Sequence, residues 1–191
     1  MPGAWRRSLF RRGSFVRRCR TERITAPESR LYGRFAPQIR LDLPGDAVEQ
    51  LTSVGLPVEI EGMFYADPHS FLRERSFGDH QYYFLGTNEK EVAGSYLTRR
   101  PDGQVWNLSV DETEMLFCNS SLPLFLTFLA QWRGFLLNCR GIVNEGRVIK
   151  EGKKLRKELR KLDRAAFKGE ETWWSFVCEE VEDGVLVPGE D

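Results

Sequence analysis

Sixteen residues, Phe117 to Trp132 (FCNSSLPLFLTFLAQW), hold the end of a strand, the start of a helix and that helix's apolar face. Glu114 to Cys118 reads as a short apolar strand. Asn119 or Ser120 then supplies a short polar side chain able to accept a hydrogen bond from an unpaired amide, as a helix N-cap requires. Pro123 falls in the first turn, where its missing N–H costs nothing. After it, Leu122, Phe125, Leu126, Leu129, Trp132, Phe135 and Leu136 recur at helical spacing and predict one apolar face. On physics alone this is a core helix behind a strand.

Around it the chain divides into recognisable pieces. Pro27, Pro37 and Pro44 mark an extended approach. Asp46 is positioned to cap a short helix through Val48 and Leu51, stopped at Gly55. Residues 62–66 alternate weakly around Met63, Phe64 and Tyr65, and 67–70 form a turn. His80 to Leu85 and Glu91 to Leu97 read as strands, the second interrupted by Gly94 as a bulge. Pro101-Asp102-Gly103 is a hairpin turn, with Gln104 to Leu108 returning. Residues 150–164 predict a charged helix with Leu155, Leu159 and Leu162 on one face. Trp173 and Trp174 open a last helix or strand. Being adjacent, they should face different sides, which leaves at least one partly exposed. Strands grouped together, with helices before and after, indicate an α+β domain with a largely antiparallel or mixed sheet.

The 191 residues suffice for one cored domain plus an extension. The zero net charge hides a split. Residues 1–40 hold 11 Arg against 2 Glu, a balance of +9, and residues 41–191 hold 17 basic and 26 acidic residues, a balance of −9. Residues 1–40 are therefore read as a basic extension and 41–191 as the domain. The extension pairs Arg6-Arg7, Arg11-Arg12 and Arg17-Arg18 with Trp5, Phe10 and Phe15. It lacks the apolar run of an export signal. It reads either as a dispensable, disordered extension or as an arm for nucleic acid or anionic membrane. The run Lys153 to Lys161 reads first as a solvated helix face, with a phosphate-binding stripe as the other reading.

No apolar run reaches the roughly 20 residues of a membrane span. Cys19, Cys118, Cys139 and Cys178 are widely spaced, which suggests a reduced, cytoplasmic chain, with the last three as small core hydrophobes. His69 and His80 have no companion ligands at metal-binding spacing. There is no Gly-x-Ser-x-Gly elbow, and no phosphate loop fits, since Gly146 to Lys154 is one residue too long. No catalytic set, metal or cofactor is expected.

The Asn-Ser-Ser-Leu start on a Phe/Leu-rich helix (Asn119, Ser120, Leu122, Phe125) resembles the fourth group of the SUKH superfamily of bacterial immunity proteins. Three further stretches agree in order: Leu51, Gly55, Leu56 and Pro57; Asp102, Gly103, Val105 and Trp106; and Leu155, Leu159, Leu162, Asp163, Trp173 and Trp174. The resemblance spans about residues 41–186. It implies a single α+β domain and a non-enzymatic inhibitor that binds a cognate toxin, a nuclease or nucleic-acid deaminase. An acidic domain suits a basic partner. On charge and expected exposure, Glu59, Glu61, Asp67, Glu89, Glu91, Asp111, Glu112 and Glu114 are the candidate contacts. The contrasting reading is an adaptor whose Arg-rich arm contacts nucleic acid or anionic membrane.

Overall fold

The computed structural model describes residues 40–67, 69–88, 94–142, 144–169 and 171–186. The arginine-rich segment 1–39 lies outside the described residues.

Helix α1 (Gly45–Glu49) runs into a π-helical turn, Gln50–Val54, which Gly55 ends at φ 85°. Asp46 is not the cap. Pro44 takes that position, with an extended ψ of 150° and its carbonyl accepting from Val48 N–H at 3.0 Å. The Asp46 carboxylate is already inside the first turn, where it accepts from Ala47 N–H at 2.8 Å and complements the helix dipole. Gly55 can turn the chain because a positive φ costs it nothing, and Ala47, Leu51 and Leu56 go into the core.

Among the described residues seven strands follow: β1 (Glu59–Ile60), β2 (Phe64–Tyr65), β3 (Glu74–Phe77), β4 (His80–Thr87), β5 (Ser95–Arg99), β6 (Val105–Leu108) and β7 (Met115–Asn119). They form one sheet, ordered β1-β2-β4-β5-β6-β7, with every strand pair antiparallel. The first half of β4 pairs with β3 and its last residue, Thr87, with β2. Strand β3 carries no apolar alternation, being mostly exposed, so periodicity misses it. The register shifts lie at Phe84/Gly86 and Val105/Trp106. Gly94, expected to bulge, instead permits close approach: a Cβ there would sit 2.7 Å from the Leu108 carbonyl oxygen.

Helix α2 (Leu122–Cys139) is capped by Ser121, whose hydroxyl accepts from Leu124 N–H at 3.4 Å. The cap is neither Asn119 nor Ser120, since both are committed elsewhere. Leu122, Phe125, Phe128, Leu129, Trp132, Phe135 and Cys139 are buried, while Leu126 and Leu136 lie only half inside. Helix α3 (Glu145–Leu162) is capped by Asn144 and buries Val148, Gly152, Leu155 and Leu159. A 3-10 turn, Ala165–Phe167, leads to α4 (Trp173–Glu182).

Both tryptophans are buried, contrary to the expectation of one exposed. Trp173 meets Tyr96 edge-on at 5.8 Å and Trp174 meets Phe128 at 5.2 Å. Helix α4 is enclosed between the sheet, α2 and α3, so two sides of its first turn are both interior.

A buried polar lock joins these elements. The Trp174 indole donates to Asn119 Oδ1 at 2.9 Å, and Asn119 Nδ2 donates to Asp163 Oδ2 at 3.3 Å. Asp163 also accepts from Ser120 N–H (2.8 Å), Ser120 Oγ (2.8 Å) and Ala165 N–H (3.1 Å). The carboxylate is sealed at 5% exposure yet satisfied by four donors, which offsets its desolvation. Sequence positions 119, 120, 163 and 174 thus form one object.

The core lies between one sheet face and the helices. The other face carries a second cluster made wholly of strand residues: Tyr82, Phe84, Leu97 and Leu108, with Phe77, Trp106 and Met115 against them. The layers run sheet, then α2 with α4, then α3, which packs chiefly on those two helices.

Candidate partner-binding rim

One register row crosses the sheet: Glu59 opposite Tyr65, Tyr65 opposite Thr87, Thr87 opposite Ser95, Ser95 opposite Leu108, and Leu108 opposite Met115. Strand direction then sends the β1–β2 turn and the β6–β7 turn off the same end of the sheet. At about 4.8 Å per strand, the row is about 24 Å wide. Glu59 and Glu61 sit at one corner of this end and Asp111, Glu112 and Glu114 at the other, all exposed. Glu89 and Glu91 lie outside the described residues. Their described flanks, Asn88 and Gly94, stand between the two corners, joined by Asn88 N–H to Gly94 carbonyl at 3.1 Å.

Each corner is built rigidly. The β1–β2 turn passes through Gly62 at φ 65°. It is tied to α2 by the Trp132 indole, which donates to the Glu61 carbonyl at 3.3 Å. In the β6–β7 turn, Asp111 is structural. It accepts from Ser109 Oγ (2.6 Å), Thr113 Oγ1 (2.8 Å) and Thr113 N–H (3.3 Å). Those donors hold its carboxyl below the ordinary value. Spending Asp111 on the turn forces Glu112 to φ 56°, a conformation that costs a non-glycine residue about 1–2 kcal/mol. Ser109-x-Asp111-x-Thr113 is a turn-forming spacing visible in the sequence.

Glu61, Glu112 and Glu114 are exposed carboxylates with no ion pair among the described residues. The structure does not bring Asp67 to this end. The chain leaves β2 away from the rim, and the Asp67 carboxylate serves its own turn. Ser70 and the His69 N–H (3.0 Å) hold it below its ordinary value.

The opposite end of the sheet is also acidic in sequence, with Asp42, Glu74 and Asp102, but arginines neutralise it. Arg100 reaches Glu74 at 2.9 Å and Asp42 at 3.5 Å, and Arg99 pairs with Asp102. Burial pushes the Asp102 carboxyl up, but Arg99 and the Gln104 N–H outweigh it and leave it below its ordinary value. Asp79, in the β3–β4 turn, is the exposed carboxylate at this end without an ion pair among the described residues. The rim therefore stands out by the number of its uncompensated carboxylates, not by acidity as such.

Enzyme-like features are sparse. Among the described residues, no group of three or more His, Cys, Asp or Glu could hold a metal ion, and no helix is long and apolar enough to cross a membrane. A cleft between α2 and α3 lined by Gln131, Phe135, Glu151 and Leu155 encloses about 180 Å³, and a more open one lined by Asp42, Asp79, His80 and Arg100 about 360 Å³. Small-molecule sites usually enclose about 300–1,000 Å³ and are mostly apolar in lining. Among the described residues Cys118, Cys139 and Cys178 are free and buried, and burial pushes Cys178 up to about 12 and Cys118 well above its ordinary value.

Residues 34–180 match the family model described as SUKH-4 immunity protein. No curated protein and no solved structure matches.

Proposed function

Because the chain belongs to the SUKH-4 immunity protein family, we propose that it protects its cell by binding a cognate toxin stoichiometrically in the cytoplasm, without catalysis, through the acidic rim. The observation that carries this reading is the set of uncompensated carboxylates, Glu61, Glu112 and Glu114, on tied-down turns at one end of the sheet. The partner that fits is a protein with a basic, nucleic-acid-acting cleft. Complementary charge speeds encounter, and carboxylates in such a cleft compete with phosphate. Rigid turns suit the task, because little ordering entropy is lost on docking. Asp111 contributes by holding its turn.

The test begins with recovery of the toxin on tagged full-length protein from source cells, followed by titration with the purified pair. Glu61→Lys, Glu112→Lys and Glu114→Lys together should weaken binding at least about tenfold, mainly by slowing association, with the loss shrinking as salt screens the charges. Asp67→Lys, outside the rim, should do much less. Equal affinity for the triple variant and the parent would remove the rim from the interface and leave the family role standing.

A further inference from the structure

The strongest charge segregation in the domain lies away from the rim, on the outermost helix. Helix α3 carries eight Lys or Arg against three Glu. At 100° per residue, Lys150, Lys153, Lys157 and Arg160 fall within an arc of about 80° and span about 15 Å. All four are exposed and none has an ion pair among the described residues. Three of the flanking acids are committed to other cations: Glu151 to Lys154 and Glu158 to Lys161 at 2.7 Å each, and Glu182 of α4 to Arg156 at 3.0 Å. The result is a row of four free cations, with exposed Arg147 about 60° to one side of it and Glu145, in the first turn, about 60° to the other.

We propose that this outer face of α3 binds the phosphate backbone of a nucleic acid, without reading its sequence. A strand presents a phosphate about every 3.4 Å of duplex axis, so a 15 Å row faces about four of them. A protein partner would want an apolar anchor at the centre of its contact. Val148, Leu155 and Leu159 point inward, half-buried Ile149 lies at the edge of the row, and exposed Leu162 stands about 120° away from it, so no apolar side chain sits at the centre of the row. An anionic bilayer would want a side chain to insert, and the row offers none. The rim's carboxylates do not oppose this: the layer of α2 and α4, about 8–10 Å thick, separates α3 from the sheet, about one Debye length at physiological salt.

The proposal is independent of the toxin reading, and no toxin enters its test. Full-length protein is titrated into a fluorescein-labelled single-stranded DNA of about 16 nucleotides across a salt series. A parallel variant carries Lys150→Gln, Lys153→Gln, Lys157→Gln and Arg160→Gln. Each lost contact lowers the slope of log K against log salt by about 0.7, so the variant's slope should fall by about 3. Lys153→Gln with Lys157→Gln alone should give half that change, which keeps the test valid if the fourfold variant folds poorly. Replacing Arg6, Arg7, Arg11, Arg12, Arg17 and Arg18 by Gln removes the arm's contribution, and binding through α3 should persist. An unchanged slope in both row variants, or complete loss of binding in the arm variant, overturns the proposal. Row-dependent self-association by sedimentation without DNA binding also overturns it, and assigns the face to a second copy.

Discussion

Single residues here take their meaning from partners distant in the chain. Trp174 is 55 positions from Asn119, yet its indole N–H fills the Asn119 carbonyl. Trp174→Phe keeps most of the packing and leaves that buried acceptor empty, so it should cost about 1–3 kcal/mol, read as a lower urea midpoint with unchanged m. Glu112 illustrates the opposite case, a residue whose conformation works against stability. Glu112→Gly should leave the melting temperature unchanged or slightly higher, whereas Glu112→Val should lose about 1 kcal/mol, because a β-branched side chain tolerates positive φ worst. Thermal melts of the pair distinguish strain at that turn from any partner role of its carboxylate.

Between elements, α3 and α4 approach closely through glycine against valine. A Cβ on Gly152 of α3 would lie 2.4 Å from Val181 Cγ1 of α4. Alanine raises helix propensity by about 1 kcal/mol, but valine has little rotamer freedom to yield. Gly152→Ala should therefore destabilise the protein, and Gly152→Ala with Val181→Ala should be less destabilised than the two single effects summed. Chemical denaturation of the four-member cycle measures that coupling. Sequence patterning finds α2, α3 and the central strands because their apolar residues recur with period 3.6 or 2. It misses β3, since Glu74, Arg75 and Ser76 are exposed on that edge strand. It misplaces two caps, because Asn119, Ser120 and Ser121 are adjacent candidates for α2 and because the backbone of Pro44, not a polar side chain, starts α1.

At the scale of the whole molecule, charge and burial set the pH range of stability. Burial raises the Cys178 thiol to about 12 and Tyr96 well above its ordinary value. Both groups hold their protons more tightly folded than unfolded. Their contribution should therefore be level below about pH 9 and be lost as pH rises from there towards 12, because the unfolded chain ionises first. Asp67 and Asp102 are shifted the other way, so their contribution is present above about pH 4 and lost as pH falls below it. Urea midpoints across pH test both limbs, and a midpoint rising between pH 9 and 11 would contradict the first. The same segregation of charge separates two faces: a rim where Glu61, Glu112 and Glu114 have no ion pair among the described residues, and a row on α3 where Lys150, Lys153, Lys157 and Arg160 have none.

The sequence by itself determined the α+β class, the family resemblance, the helix faces and the excess of acid over base in the domain. Each of these is carried by local periodicity or by composition, which need no knowledge of distant contacts. Tertiary structure decided that Asn119, Ser120, Asp163 and Trp174 form one lock and that both tryptophans are interior. It also decided which acids count. Asp102 and Glu74 are cancelled by arginines brought beside them, Asp67 and Asp111 are spent on turns, and Glu61 meets Glu112 and Glu114 at one end of the sheet. Charge is a property of a residue, but compensation depends on distance, and only the strand order and register set those distances.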